Sequence, residues 1–292
     1  MRFSVKSDGN WRAFRHRNYR ILYPANAASN IGGWVQRLAQ DWLVLELTNS
    51  GFYLGIVTAL QFAPVWFFSL PGGALADRFN KRKVLILTNI AAGLTSLILG
   101  ILVVTNNVQI WHVMALAFAL GVADAIDKPV RQSFTSEMVG VVDVPNAVSL
   151  NSANFNFGRL VGPALSGLMI AAFGTGPSFL INAFTYVLVI IVMANIREGE
   201  LFREPRAAGP TTIREGFRYV MARPDLFVVM SAVFFVTTFG LNFQLFNALM
   251  ATKVFDKGVT SFGLMGTVIA IGSLSAALFS PRIEQYRSTK FV

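Results

Sequence analysis

The chain contains no cysteine and only two histidines, and both shortages exclude classes of function. Without cysteine there is no disulfide, no thiolate metal site and no cysteine nucleophile. His16 and His112 lie far apart in the sequence, and neither has a second ligand at the spacing of a helical metal site. An active site inside a membrane needs several such groups in convergence, and the sequence offers no such set. We therefore expect no metal, no cofactor and no enzyme activity.

Charged residues are also scarce, at 14% of the 292 positions, against about 25% in an ordinary soluble domain. Hydrophobic residues make up 54% of the chain, and the mean hydropathy is +0.53. Several apolar runs reach the ~20 residues that a bilayer-spanning helix requires, which excludes an assembly of soluble domains. We predict eight such helices, over approximately residues 19–47, 52–76, 84–104, 110–130, 147–173, 178–196, 226–250 and 261–280.

The predicted fold is therefore all-α, that of a polytopic membrane protein. Residues 1–196 are expected to form an N-terminal six-helix bundle, and residues 224–292 the first two helices of a second, incomplete bundle. The polar stretch between them, residues 197–223, contains Pro205 and Pro210 and is interpreted as a cytoplasmic linker.

The net charge of +10 is explained by membrane orientation. If the helices alternate across the bilayer, most of the 25 lysines and arginines fall on one side. This asymmetry predicts a multi-pass protein of the cell (plasma or inner) membrane with both termini in the cytoplasm. Because the basic residues are spread over separate loops, we expect no nucleic-acid partner. The first 19 residues lack the apolar stretch of a cleavable signal peptide.

The first predicted helix carries one polar stripe on an otherwise apolar surface. Polar groups inside a membrane are costly, so such a stripe should face a water-filled cavity or other helices. Its members lie within an arc of roughly 100° at helical spacing; they are Asn26, Asn30, Gly33, Arg37, Gln40 and Asp41. Arg37 and Asp41 are close enough to pair. Either they neutralise each other structurally, or Asp41 is a protonatable acid coupled to transport.

The fourth and fifth predicted helices carry further polar candidates. Asp124–Lys128 and Asp127–Arg131 are i,i+4 pairs with the acid first, the better orientation. They form either a self-compensated patch at the inner mouth or a gate that opens when the pairs break. The fifth helix adds Asn151 and Arg159 as cavity or coupling candidates. Gly158, Gly162 and Ser166 repeat every four residues on that helix, which favours close approach of another helix.

Two local motifs give the chain a family resemblance. The connection after the second predicted helix combines a glycine, an acid–base pair and a basic cluster: Gly73, Asp77, Arg78, Lys81, Arg82 and Lys83. The fifth helix contains a sequence similar to an antiporter signature, with Gly158, Gly162, Pro163 and Gly167 at the matching positions and Ser166 in place of one glycine. The chain thus resembles the major facilitator superfamily. Residues 128–134 and 215–224 look like its branch of enterobactin exporters and macrolide-efflux proteins.

The resemblance implies alternating access between two six-helix halves. It implies export of a small amphipathic molecule, drug-like or siderophore-like, driven by an ion gradient, with protons as the possible coupling ion. Asp77 and Arg78 would belong to a cytoplasmic loop latch, and the fifth-helix motif would shape the bundle interface. Ala117 stands where drug–proton antiporters often carry an arginine, so Asp41 or Asp124 would have to take over proton coupling.

Eight helices are fewer than the family's two six-helix halves contain. We therefore expect a C-terminally truncated transporter, or a fragment of a longer one, that is inactive alone. Self-association would complete its second bundle. Two alternatives stay open. One is the permease subunit of an ATP-driven exporter, which would need a separate ATPase because this chain has no phosphate-binding G-x-x-x-x-G-K-[ST] motif. The other is a non-transporting membrane protein that dimerises or binds partner helices.

Overall fold

The computed structural model of the chain describes residues 11–202, 221–236, 243–255, 258, 261, 263–266, 268–269 and 271–272. For residues 70, 73–78 and 243–245 it describes the backbone only. All regular structure in these ranges is helical, which confirms the predicted all-α class. The helices are α1 (Arg17–Thr48), α2 (Gly51–Arg78), α3 (Lys81–Val104), α4 (Ile110–Phe173), α5 (Gly176–Ala194), α6 (Pro224–Phe235) and α7 (Phe243–Leu249). Short 3-10 turns cover Arg12–Arg15 and Glu198–Glu200, and a π-helical turn covers Met250–Val254.

The predicted break between the fourth and fifth helices is confirmed, but it is confined to a single residue and not spread over residues 131–146. Residues 131–146 are helical, and α4 is interrupted only at Gly140, whose φ of 69° and ψ of 162° lie outside the helical region. A glycine adopts this positive φ without steric cost. The apolar run ends near residue 130, but the helix continues to the elbow. The elbow at Gly140 divides α4 into a first arm, residues 110–139, and a second arm, residues 141–173.

The helices pack around α1 and α4. Helix α1 contacts α4 and α5, α2 packs along α4, and α3 packs against α4 and α5. Two apolar clusters form the core. One includes Leu22 and Phe134 near the start of α1, and the other includes Leu38 and Phe179 near its end. The polar stripe of α1 lies between these two clusters.

The outer surface of the bundle is apolar. Large side chains are exposed there, including Trp66 at 74% and Phe184 at 69%, as expected for surfaces that face lipid. Four described helices are long and apolar enough to cross a membrane: residues Gly51–Ser69 of α2, and α3, α4 and α5. With 64 residues, α4 is long enough for two crossings. Helix α1 is not in this group, because the polar stripe lowers its hydropathy.

The sixth and later predicted helices are confirmed only in part. Helix α5 matches the predicted sixth helix to within two residues at each end. The predicted seventh helix corresponds to α6 and α7, and residues 237–242 lie outside the described ranges. Most of the predicted eighth helix and of the linker also lies outside them.

Candidate functional site

A polar cavity of about 920 Å³ lies between α1, α2, α3, both arms of α4 and α5. Its wall is rich in carboxamides, with seven asparagines and four glutamines. The wall also contains three basic and two acidic side chains: Arg37, Lys128 and Arg131, and Asp124 and Asp127. The cavity is therefore able to hold a molecule that offers both hydrogen-bonding groups and apolar surface.

The polar stripe of α1 faces this cavity, as its spacing predicts. Asn26, Asn30, Gly33, Arg37 and Gln40 all line it. Asn30 also donates a hydrogen bond of 2.7 Å to the backbone oxygen of Asn154 in the second arm of α4. The stripe thus serves both as cavity wall and as a contact between helices.

Asp41, the last member of the stripe, is buried and does not line the cavity. Its expected pairing with Arg37 is not observed: no ion pair joins the two side chains, both of which the structure describes. Instead, the guanidinium carbon of Arg37 lies 5.3 Å from the ring centroids of both Trp34 and Phe62. Arginine binds aromatic faces in this way through the ring quadrupole.

The two predicted pairs of α4 are confirmed. Lys128 Nζ lies 3.4 Å from Asp124 Oδ2, and both side chains are well exposed to the cavity and its mouth. Arg131 Nε lies 2.6 Å from Asp127 Oδ2, and this second pair is considerably less exposed. The acid-first orientation therefore predicts both contacts correctly.

The Asp127–Arg131 pair is the centre of a network that joins three helices. Arg131 Nη1 donates to Asn26 Oδ1 at 2.6 Å, and Arg131 Nη2 donates to Asp127 Oδ1 at 3.0 Å. The same carboxylate oxygen accepts from Thr88 Oγ1 at 2.8 Å and from Asn89 Nδ2 at 3.0 Å. The network holds α1, α3 and the first arm of α4 together at the cavity wall.

Sequence reasoning missed several members of this site. Thr88 and Asn89 lie inside the apolar run of α3, and Asn182 lies inside that of α5. Asn182 donates a buried 2.7 Å hydrogen bond to Gln36 Oε1 and so joins α5 to α1. An intramembrane asparagine is itself a usable signal, since such residues are costly unless they face a partner.

The small-residue face of the second arm of α4 packs on α1, as its spacing predicts. A Cβ atom at Gly158 would collide with Asn30, and one at Gly162 would collide with Trp34. Ser166 Oγ donates a buried 3.0 Å hydrogen bond to the backbone oxygen of Val35. The absence of side chains at the two glycines lets the helices approach closely.

The remaining motif residues, Pro163 and Gly167, contact the second half of the chain. A Cβ atom at Gly263 would lie 3.0 Å from Gly167 Cα, and one at Gly266 would lie 2.9 Å from Pro163 Cβ. The fifth-helix motif thus has two sides, one against α1 and one against residues 263–266. Arg159 of the same arm is half-buried and is not part of the cavity wall.

Half of the predicted loop latch can be described. Lys81 Nζ forms a 2.6 Å ion pair with Glu137 Oε1, next to the elbow of α4. Arg82 pairs with Glu198 at 3.3 Å and donates to the backbone oxygen of Ala194 at 2.6 Å. Lys83 is exposed. The side chains of Gly73, Asp77 and Arg78 lie outside the described residues, so their role in the latch stays a prediction.

The segment before α1 also binds the elbow of α4. Asp143 lies 3.0 Å from Arg12 Nη2 and 2.9 Å from His16 Nε2. The backbone amide of Ala13 donates to Asn146 Oδ1 at 2.9 Å. In the part of the chain that the structure covers, no group of three or more histidine, aspartate and glutamate side chains is arranged to hold a metal ion. His16 therefore acts here as a polar contact.

Comparison with known proteins gives a consistent family. The profile of a family described as "Transmembrane secretion effector" matches residues 8–291. The "Staphyloferrin A transporter" of Staphylococcus aureus is 25% identical over 261 residues, which cover 88% of this chain and 65% of that protein. The "Multidrug efflux pump Tap" of Mycolicibacterium fortuitum is 27% identical over 283 residues, which cover 92% of this chain and 68% of that protein.

A more distant relative and a solved structure agree with these matches. The "Enterobactin exporter EntS" of Salmonella typhi is 19% identical over 268 residues, which cover 92% of this chain and 64% of that protein. The fold is similar to that of a bacterial homologue of the human lysosomal transporter Spinster, in an inward-facing and unoccupied conformation, with a TM-score of 0.68 and 16% identity. That match covers 92% of this chain and 64% of the other. The chain thus spans about two thirds of the length of the proteins it matches.

Proposed function

The chain belongs to the transmembrane secretion effector family of the major facilitator superfamily, and on this premise we propose that it binds and exports a small amphipathic molecule. The proposed substrate is drug-like or siderophore-like, as the names of the chain's relatives suggest. The proposed mechanism is alternating access, in which two halves rock about a central site. The N-terminal half is residues 1–196, the linker is residues 197–223, and the C-terminal part begins at residue 224.

The single observation that carries the proposal is the cavity of about 920 Å³. It lies midway along α1, between two apolar clusters, which is where a substrate site near the bilayer midplane is expected. Its wall combines carboxamides with aromatic rings such as Trp34 and Phe155. This mixture suits a substrate with a polar and an apolar part.

Energy for export comes, in this proposal, from an ion gradient, with protons as the coupling ion. Asp41 or Asp124 is the proposed proton carrier, since an acid at membrane depth is costly and is therefore a candidate for such a role. Asp124 lines the cavity directly, whereas Asp41 is buried beside it on α1. The proposed location is the cell (plasma or inner) membrane, with both termini in the cytoplasm, on the basis of the loop charges.

Contacts made by the two arms of α4 support roles for the two family motifs. The proposed loop latch of Asp77, Arg78 and the following basic cluster would hold one state of the cycle. The Lys81–Glu137 contact of 2.6 Å connects the cluster to the elbow of α4. The contact between Gly167 and Gly263 supports a role for the fifth-helix motif where the two halves meet.

The chain is shorter than the transporters that it matches, and this difference bears on whether it can transport a substrate alone. Because these 292 residues span about two thirds of the length of the matched transporters, we propose that they bind substrate but do not carry out gradient-driven transport alone. Self-association is the proposed way to complete the second half. Proton-driven uptake of a labelled macrolide by vesicles that contain only this polypeptide would contradict this part of the proposal.

The cavity itself is tested by filling it. A Cβ atom at Gly33 meets no other atom within 4 Å, and Gly33 lines the cavity. We expect Gly33→Trp to abolish saturable binding of a labelled macrolide or siderophore to the purified chain. Gly55→Trp is the matched control, because Gly55 also has open space around its Cβ position but lies outside the cavity. Equal binding by the two variants would contradict the proposed site.

A further inference from the structure

The two arginines of the cavity differ sharply in their partners. Arg131 makes four hydrogen bonds through its guanidinium group, to Asp127, Asn26 and Asn89. Arg37 has no hydrogen bond or ion pair within the described part of the chain, and its buried Nε atom has no acceptor there. Asp41, one turn further along α1, attracts its charge without forming an ion pair, and its nearest contacts are the aromatic rings of Trp34 and Phe62.

Aromatic contacts leave the hydrogen-bonding capacity of Arg37 unused. A guanidinium carries five N–H donors and accepts nothing. The faces of Trp34 and Phe62 attract its positive charge but supply no lone-pair acceptor in the plane of the group. Water in the open cavity can occupy these donors, and a bound ligand can replace that water.

The charges of the cavity wall point in the same direction. Each of its two carboxylates is already paired, Asp124 with Lys128 and Asp127 with Arg131. Arg37 is the third cation of the wall, and neither of the wall's carboxylates forms an ion pair with it. The buried Asp41 lies one helical turn away, does not line the cavity and forms no ion pair with Arg37 among the described residues.

We propose that Arg37 is the recognition residue for an anionic oxygen group of the substrate, with the apolar part of the substrate seated against Trp34 and Phe62. This inference rests on the proposed function and narrows its substrate class to amphipathic acids. Carboxylates are the simplest members, because their two oxygens match the paired donors of a guanidinium. Neighbouring carboxamides, including Asn30 and Asn154, then contact the neutral polar groups of the substrate.

A matched pair of probes separates charge recognition from simple apolar binding. The probes are 2-naphthylacetate and its methyl ester, which share the same ring system and differ in charge. Binding of each to the full chain in phosphatidylcholine nanodiscs is measured by titration calorimetry, with empty nanodiscs as the blank. We expect the chain to prefer the carboxylate by about tenfold or more, the range of a charge-assisted hydrogen bond.

Three variants test whether Arg37 supplies the preference. Arg37→Gln is expected to weaken carboxylate binding by about tenfold or more while ester binding stays within about twofold. Arg37→Lys keeps the charge and is expected to retain part of the preference. Arg197→Gln removes an exposed arginine from the turn after α5 and is expected to change neither affinity. Ester binding also reports that each variant is folded.

The outcomes distinguish this inference from the proposed function. Equal affinity for the two probes, or equal loss of both in Arg37→Gln, would overturn the role of Arg37 and leave the cavity as a binding site. Preference for the ester would also overturn it. If neither probe binds to the unmodified chain, the inference and the binding function both fall.

Discussion

Replacing Asp127 with alanine should destabilise the bundle strongly, because it leaves a membrane-embedded arginine without its counterion. Asp127 accepts from Arg131 through both carboxylate oxygens and also from Thr88 and Asn89. The side chains of the ion pair are only 16% and 27% exposed. Loss of the carboxylate therefore removes the hydrogen bonds that Asp127 accepts from Thr88 and Asn89 of α3, and it leaves the guanidinium with Asn26 and Asn89 alone.

The magnitude follows from the burial of the pair. Removing one partner of a buried ion pair costs roughly 3–5 kcal/mol. Each kcal/mol lowers the unfolding midpoint of a domain of comparable size by roughly 2–4 °C. Because the cavity admits water to Arg131, we take the lower ends of both ranges and expect Asp127→Ala to lower the midpoint by about 6 °C. Thermal unfolding in detergent micelles, followed by tryptophan fluorescence, measures this change.

The second ion pair of the same helix is the internal control. Lys128 and Asp124 have the same i,i+4 spacing, but their side chains are 60% and 32% exposed. Exposed pairs contribute only about 0–1 kcal/mol, so Asp124→Ala should lower the midpoint by no more than about 2 °C at the same slope. Equal losses in the two variants would refute the argument from burial. The double variant Asp127→Leu with Arg131→Met leaves no unpaired charge and should be more stable than Asp127→Ala alone. A double variant that is less stable would also refute the argument.

Two further predictions concern helix packing and the segment before α1. Gly162→Val should lower the unfolding midpoint by at least about 2 °C, because its side chain would collide with Trp34 and overpacking costs about 1–3 kcal/mol or more. Gly55→Val, which has open space, should stay near the unmodified value. Asp143→Ala should increase hydrogen exchange in residues 12–18, because it removes the ion pair to Arg12 and the polar contact to His16. Exchange that stays unchanged there would mean that the remaining contacts hold this segment.

Periodicity predicted the parts of the site that depend on a single helix. The polar stripe of α1 has a helical repeat, so its orientation toward one cavity follows from geometry alone. The small-residue face of α4 behaves in the same way, because Gly158 and Gly162 must meet a close neighbour wherever the helix packs. Which helix that neighbour is could not be read from spacing, since spacing contains no information on the partner.

The parts that sequence reasoning missed depend on contacts between helices or on events outside the hydrocarbon. Thr88 and Asn89 contact Asp127 across a helix interface, and a single polar pair in an apolar run has no periodicity to detect. The elbow at Gly140 lies beyond the apolar run, where a helix can continue in water. The predicted helix ends at residues 130 and 147 therefore follow the loss of hydropathy, whereas both helical arms extend to the elbow.

The expected pair that did not form is the most informative case. In Asp124–Lys128 and Asp127–Arg131 the acid precedes the base by four residues, and both contacts form. Arg37 precedes Asp41, the less favourable order. The guanidinium has an alternative contact with the ring of Trp34, one turn earlier on α1. Arg37 thus stays directed at the cavity with its donors unoccupied, which a neutralised pair at this position would not allow.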